Sequence, residues 1–212
     1  MRAILLSSIS HDLRTPLSSI VGASETALSN FDKLPKDAII NLINSIKNQS
    51  QRLSKIVTNL LDITALEAGN IKLNKQPYYI QEIIGCAVLH LKDNLKNHQV
   101  EIFCDKNLPM VIIDGVLIEQ VIVNLLENAA KYTPANSKIN IEAKLWRKKL
   151  LIKICDNGGG IFAKNKSKEG YGLGLIICKN IVKAHGSKLK IWNEQGANFS
   201  FNLSQLIFSK NL

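Results

Sequence analysis

No stretch of this 212-residue chain approaches the roughly 18 consecutive apolar residues needed to cross a bilayer, and the N-terminus lacks the basic-then-apolar pattern of a secretion signal. A soluble, cytoplasmic chain with no membrane segment is expected. Cysteine is sparse: Cys86, Cys104, Cys155 and Cys178 stand far apart in apolar runs without a CxxC pair. Buried free thiols in a reducing compartment are therefore expected, rather than disulfides or zinc. Aromatic residues make up only 6% of the chain. Neither an aromatic-plus-basic RNA motif nor a DNA-reading helix accompanies the net charge of +10, so direct nucleic-acid binding is not expected. GxxxxGK[ST] is missing, which excludes a P-loop, and no protein-kinase catalytic set occurs.

What is present is an ordinary globular composition, 46% hydrophobic and 21% charged, with an uneven charge. Up to residue 70 there are 7 basic and 6 acidic side chains (+1); from residue 71 there are 20 and 11 (+9). Nucleic acid, a polyphosphate ligand or a merely solvated surface would each account for such an excess.

Two pattern regimes follow. Ile9, Leu13, Leu17 and Ile20, then Ile39, Ile43, Ile46, Leu53, Val57 and Leu60, recur at helical steps. "SNFDKLPKD" separates the two runs with Asp32, Pro35 and Asp37, and "EAGN" stops the second, with Gly69 suited to a C-cap. The spacing predicts a helical hairpin over residues 1–69. Two helices cannot bury both apolar stripes alone, so dimerisation into a four-helix bundle is the natural completion. From residue 70 to 212 strands and helices mix. "QEIIGCAVLHLKDNLKN", "DGVLIEQVIVNLLENAAKY" and the segment near 173–185 read as helices, the second capped by Asp114. "QVEIFC", "MVIID", "KINIEAKLW", "KLLIKICD", "SKLKIWN" and "NFSFNL" read as strands, the third and fourth joined by a basic turn at Arg147 to Lys149. The sum is α+β: a helical hairpin followed by a sandwich whose antiparallel or mixed sheet carries helices on one face.

Three places carry chemistry. In "SISHDLRTPLS", His11, Asp12, Arg14 and Pro16 interrupt an apolar helical pattern. Pro16 cannot donate to the carbonyl of Asp12, so a kink beside His11 is expected. In the long second-domain helix, Asn124, Glu127, Asn128 and Lys131 share one face while Ile118, Val121, Ile122, Leu125 and Ala129 share the other. Downstream, "DNGGGI" places Asp156, Gly158 and Gly160 after a strand, and "GYGLGL" places Gly170, Gly172 and Gly174 at the opening of a helix. Glycines at such spacing let the backbone approach a ligand, helix N–H groups favour phosphate, and a strand-terminal acid can accept from an adenine amino group. With amide side chains able to ligate Mg²⁺, these features outline a nucleotide site.

"SHDLRTPLSSI", "NLLENAAKYTP", "DNGGGI" and "GYGLGL", in that order, resemble the H, N, G1 and G2 boxes of sensor histidine kinases over nearly the whole chain. "SHDLRTPL", the "LLD" before "EAGN" and "NLLENAAKY" are most similar to the Kdp potassium-sensor type. The resemblance implies a dimerising histidine-phosphotransfer hairpin and an ATP-binding domain of the gyrase, Hsp90 and histidine kinase type. His11 would be the phosphoacceptor, Asp12 its orienting acid or base, and Thr15 the position that orients water when a partner is dephosphorylated. Asn128, with Asn124 close by, would ligate Mg²⁺; Lys131 would contact phosphate and Tyr132 would lie against the nucleotide. Asp156 would hold the adenine amino group, Gly158 and Gly160 would shape its pocket, and Gly170, Gly172 and Gly174 would form the phosphate-side hinge. Glu127 sits where the family varies. A homodimer that uses ATP and Mg²⁺ and phosphorylates a response regulator is implied.

Two departures from the family pattern stand out. The lid is only "FAKNKSKE", residues 162–169, with Phe162 in the place expected of a remnant of the family's longer phenylalanine-bearing box, and Met1 precedes His11 by only ten residues. The first would leave the phosphates less enclosed. The second leads to the expectation of a truncated chain whose sensor and input segments are not present. Two other readings stay open: a core restricted to phosphatase or phosphotransfer chemistry, and a nonenzymatic nucleotide-binding dimerisation module.

Overall fold

The first compact unit, Met1–Thr64, holds α1 (Arg2–Ser29) and all but the last three residues of α2 (Lys36–Glu67). The computed structural model describes residues 2–31, 33–67, 73–160 and 173–207; Asp32 and Gly69, expected as turn and cap residues, lie outside them. Helix α1 continues through the buried Pro16. Two of its hydroxyls are satisfied within the helix: Ser24 and Thr26 donate back to the carbonyls of Ile20 and Gly22 four residues earlier, at 2.8 and 2.7 Å. The chain then reverses: Lys33 and Leu34 both donate to Asn30 O, and Ala38 and Ile39 to Pro35 O, so proline opens α2 where no donor is needed. Asp37 in that first turn complements the helix dipole. Leu17, Val21 and Leu28 of α1, and Ile40, Ile43 and Val57 of α2, remain exposed.

The second unit, Ala65–Leu212, is built on a five-stranded mixed sheet in the order β2-β4-β5-β7-β6. Its strands are β2 (Gln99–Cys104), β4 (Lys138–Trp146), β5 (Lys149–Asp156), β6 (Lys190–Asn193) and β7 (Ala197–Leu203). Strand β2 runs parallel to β4; the other pairs are antiparallel. The register aligns Ile141 with Ile154 and Ile154 with Phe199, so alternate residues of three strands share one buried face. Against the apolar residues of this domain pack α3 (Ile80–His90), the short α4 (Lys92–Leu95), α5 (Gly115–Tyr132) and α6 (Leu173–Ala184). The expected apolar face of α5, Ile118, Val121, Ile122, Leu125 and Ala129, is buried throughout. Burying one such isoleucine or leucine contributes about 1.5–3 kcal/mol.

The helix-then-sandwich architecture follows the sequence expectation, with four differences. The single helix expected over 81–97 breaks at Leu91, whose φ of −101° and ψ of 15° leave the α region while its side chain stays buried. A second sheet, β1 (Gln76–Tyr78), β3 (Met110–Ile113) and β8 (Leu206–Ile207), joins segments distant in sequence. The "SKLKIWN" strand begins only at Lys190. Of the four cysteines only Cys178 is buried; Cys86 is exposed and Cys104 and Cys155 are intermediate, though all four are free thiols.

His185 ties the end of α6 to the start of α5. Its Nε2 accepts from Asp114 N at 3.1 Å while Nδ1 donates to Ile181 O at 2.9 Å, an arrangement only the neutral ring can satisfy. Burial lowers its pKa below 6.5; the Ile181 carbonyl opposes this, Lys75 adds to it and Asp114 opposes it. Because the folded value lies below the unfolded one, the contribution is complete above about pH 6.5 and is lost as pH falls towards the folded value. Urea midpoints measured at pH 7.5 and 5.5 should therefore fall with acid, and His185→Gln should be less stable at pH 7.5 yet show a shallower decline.

Candidate functional site

Asp114 fixes where α5 begins: its Oδ1 accepts from Leu117 N at 3.2 Å and its Oδ2 from Asn74 N at 3.0 Å. Two and a half turns along, Asn124 is only 6% exposed, and its Nδ2 has no hydrogen-bond partner among the described residues. A buried amide donor is costly to leave unpaired, and on this side it acts on the Cys178 sulfur. The first turn of α6 faces it: a Cβ added at Gly174 would lie 3.5 Å from Asn124 Oδ1, so a side chain longer than a methyl there would crowd the amide. Cys178, four residues beyond Gly174, donates to Val121 O at 3.7 Å. Burial pushes its pKa up to about 12 despite the Asn124 amide, which leaves an inert neutral thiol.

Further along the same helix, Asn128 is half-buried, Lys131 is exposed with Nζ 5.0 Å from the Tyr132 ring centroid, and Tyr132 is itself exposed. Thr133 closes α5, its hydroxyl donating to Ala129 O at 2.7 Å. Thr133 also meets the end of β5. A Cβ at Gly158 would come within 2.6 Å of Thr133 Cγ2, so only glycine allows this loop to lie on the helix terminus.

Asp156 ends β5 at 9% exposure, and its Oδ1 accepts from Gly158 N at 2.9 Å and from Ala197 N at 3.2 Å. The carboxylate is held from two directions, by its own loop and by the β6–β7 turn. Gly196, with φ of +131°, presses that turn onto Asp156: any Cβ there would overlap the Asp156 carbonyl oxygen. Asn198 secures the turn by donating from Nδ2 to Glu194 O at 3.0 Å. Gly160, with φ of +82°, faces Asn193.

The described structure thus brings Asp156 and Gly158 to the C-terminus of α5, and Gly174 to Asn124. The two groups lie about 13 Å apart along α5, from Asn124 to Thr133. Gly170, Gly172, Phe162 and the 162–169 lid lie outside the described residues. His11 and Asp12 fall within α1, with their side chains outside the description; Thr15 is exposed, and its carbonyl accepts from Ser19 Oγ at 3.1 Å. Thr133, Asn193, Gly196, Ala197 and Asn198 were not anticipated. The "QG" between two strands signals a turn, but nothing in it says that the turn faces Asp156.

Chemically the region offers a buried acceptor at one end and amide side chains at the other. Among the described residues no group of three His, Cys, Asp or Glu could hold a metal ion. The amide oxygens of Asn124 and Asn128 nonetheless fit Mg²⁺, which takes few protein ligands and completes its shell with water and phosphate.

Residues 1–69 match the family model described as the His Kinase A (phospho-acceptor) domain, and residues 113–207 match that of the histidine kinase-, DNA gyrase B- and HSP90-like ATPases. The chain is 39% identical to the sensor protein KdpD of Clostridium acetobutylicum over 96% of its own length and 25% of that protein. It therefore spans about a quarter of the length of that relative. Among solved structures it is similar to the Acinetobacter baumannii histidine kinase AdeS, with a TM-score of 0.78 and 25% identity over 92% of this chain and 98% of that one. The fold is also that of histidine kinase ThkA in complex with the response regulator protein TrrA, with a TM-score of 0.74 and 24% identity over 95% of this chain and 61% of that one.

Proposed function

We propose, for a chain that belongs to the sensor histidine kinase family, that it is a working autokinase core: residues 70–212 bind ATP, and His11 in residues 1–69 accepts the γ-phosphoryl group and passes it to a response-regulator aspartate. The observation that carries this reading is the braced, buried Asp156, an acceptor fixed by Gly158 and Ala197 where an adenine amino group can donate to it. Asn128 and Asn124 take the Mg²⁺ that accompanies the phosphates through their amide oxygens. Lys131 supplies charge near the phosphates, Tyr132 packs on the nucleotide, Gly160 shapes the pocket beside Gly158, and Gly170, Gly172 and Gly174 let backbone N–H groups reach phosphate.

In the chemical step the unprotonated imidazole nitrogen of His11 attacks the γ-phosphorus, the bond to the bridging oxygen breaks and ADP leaves. The proton on the other ring nitrogen passes to Asp12. The phosphoryl group then moves from nitrogen to a carboxylate oxygen of the regulator; in the separate hydrolytic reaction Thr15 orients a water that attacks the phosphorus, the bond to the carboxylate oxygen breaks and inorganic phosphate leaves. A second copy completes the hairpin, because Leu17, Val21, Leu28, Ile43 and Val57 are exposed and a four-helix bundle would cover them. A cytoplasmic site of action belongs to the same reading, since ATP is an intracellular substrate; no helix among the described residues is long and apolar enough to cross a membrane.

The test is incubation of the purified chain with Mg²⁺ and γ-phosphate-labelled ATP. Label that is acid-labile and alkali-stable is the expected result. A folded chain that binds ATP and acquires none would overturn autokinase activity in favour of a phosphatase or binding role.

A further inference from the structure

The tip of the β4–β5 hairpin takes no part in the nucleotide site. It lies at the far end of β5 from Asp156, about 23 Å away at strand rise. Its sequence, "KLWRKK", places four cations, Lys144, Arg147, Lys148 and Lys149, around Leu145 and Trp146, which are 41% and 54% exposed. The two-residue turn has φ of 48° at Arg147 and 60° at Lys148. Hairpin turns of this hand favour Asn-Gly; two long cationic side chains are held here in a conformation that costs about 1–3 kcal/mol per residue. The Arg147 guanidinium lies 5.7 Å from the Trp146 ring centroid. Two acids are close: Glu142 pairs with Lys144 at 3.3 Å, and Asp105 accepts from Leu145 N at 3.1 Å. Arg147, Lys148 and Lys149 have no ion-pair partner among the described residues. Counting Lys106 beside Asp105, five cations face two anions, a local balance of +3.

We propose that this hairpin tip docks the ATP-binding domain onto an anionic lipid surface. The cations meet headgroups, while Trp146 and Leu145, exposed on opposite faces of the hairpin end, enter the interfacial layer that suits an indole and an aliphatic chain. Single-stranded nucleic acid is the weaker match, because it calls for a groove along its backbone and an open aromatic face. Here the Trp146 face carries Arg147, and Leu145 has no base to meet.

The experiment uses the full chain with Trp192→Phe, which leaves Trp146 as the one indole, and vesicles of phosphatidylcholine with or without 30% phosphatidylglycerol in 0.1 M salt. Sedimentation with the anionic vesicles only, a blue shift of Trp146 emission and weakening with added salt are expected. The triple variant Arg147→Asn, Lys148→Gly, Lys149→Gln should lower the partition about 100-fold, at roughly fivefold per charge. Its Tm should not fall, because Asn-Gly suits the turn better than Arg-Lys. Equal partition of parent and variant would overturn the proposal, as would absence of anionic-vesicle binding, or a parent that binds single-stranded DNA through this tip but no vesicles.

Discussion

Asp156→Asn is expected to weaken ATP binding about 100-fold while lowering Tm by a few degrees at most. The asparagine oxygen can keep both bonds that Asp156 Oδ1 receives, from Gly158 N and Ala197 N, so the loop and the β6–β7 turn stay in place. The difference falls on the other atom. A carboxylate oxygen that accepts becomes an amide nitrogen that donates, and in the proposed pose it would face another donor, the adenine amino group. Loss of a charge-assisted hydrogen bond and the donor–donor conflict together amount to about 3 kcal/mol, or roughly two decades in Kd. Inosine triphosphate separates this from a general weakening, since it presents an oxygen in place of the amino group. The parent chain should prefer ATP, and Asp156→Asn should narrow or reverse the preference. Equal ATP affinity in parent and variant, measured by calorimetry, would remove Asp156 from base recognition.

Why Asp156 was legible while its supports were not is a matter of range in sequence. Alternation in "KINIEAKLW" and "KLLIKICD" is a local signal, and β4 and β5 occupy those residues with Ile139, Ile141, Ile152 and Ile154 buried. The apolar stripe and Asp114 cap likewise located α5. The second bond to Asp156 comes from Ala197, 41 residues on, through a turn whose close approach depends on the missing Cβ of Gly196. No window of sequence encodes that meeting; the antiparallel register of β5 with β7 creates it. The small sheet was hidden for a related reason. Strands β1 and β8 are three and two residues long, too short to show a period, and are held as strands only by β3 between them. In the same way, Leu91 follows the helical pattern, yet its own conformation separates α3 from α4.

His11→Gln is expected to reduce the acid-labile label to background with ATP affinity unchanged, because the variant removes the acceptor nitrogen and leaves the unit that contains Asp156 and Asn124 intact. The nitrogen that attacks must carry an in-plane lone pair, which a neutral imidazole supplies. The amide nitrogen of glutamine has its lone pair delocalised into the carbonyl and cannot attack phosphorus, so the loss should be complete rather than graded. Thr15→Ala supplies the contrast. Thr15 is one helical turn beyond His11 and exposed on α1, so removing its hydroxyl leaves the acceptor nitrogen in place. Label should form at close to the parent rate, while removal of phosphate from an acyl-phosphorylated response-regulator domain should slow about tenfold or more. Loss of label in Thr15→Ala would mean that the α1 surface around His11 was perturbed as a whole. Label persisting in His11→Gln would place the phosphoacceptor elsewhere in the chain and undo the autokinase assignment at its centre.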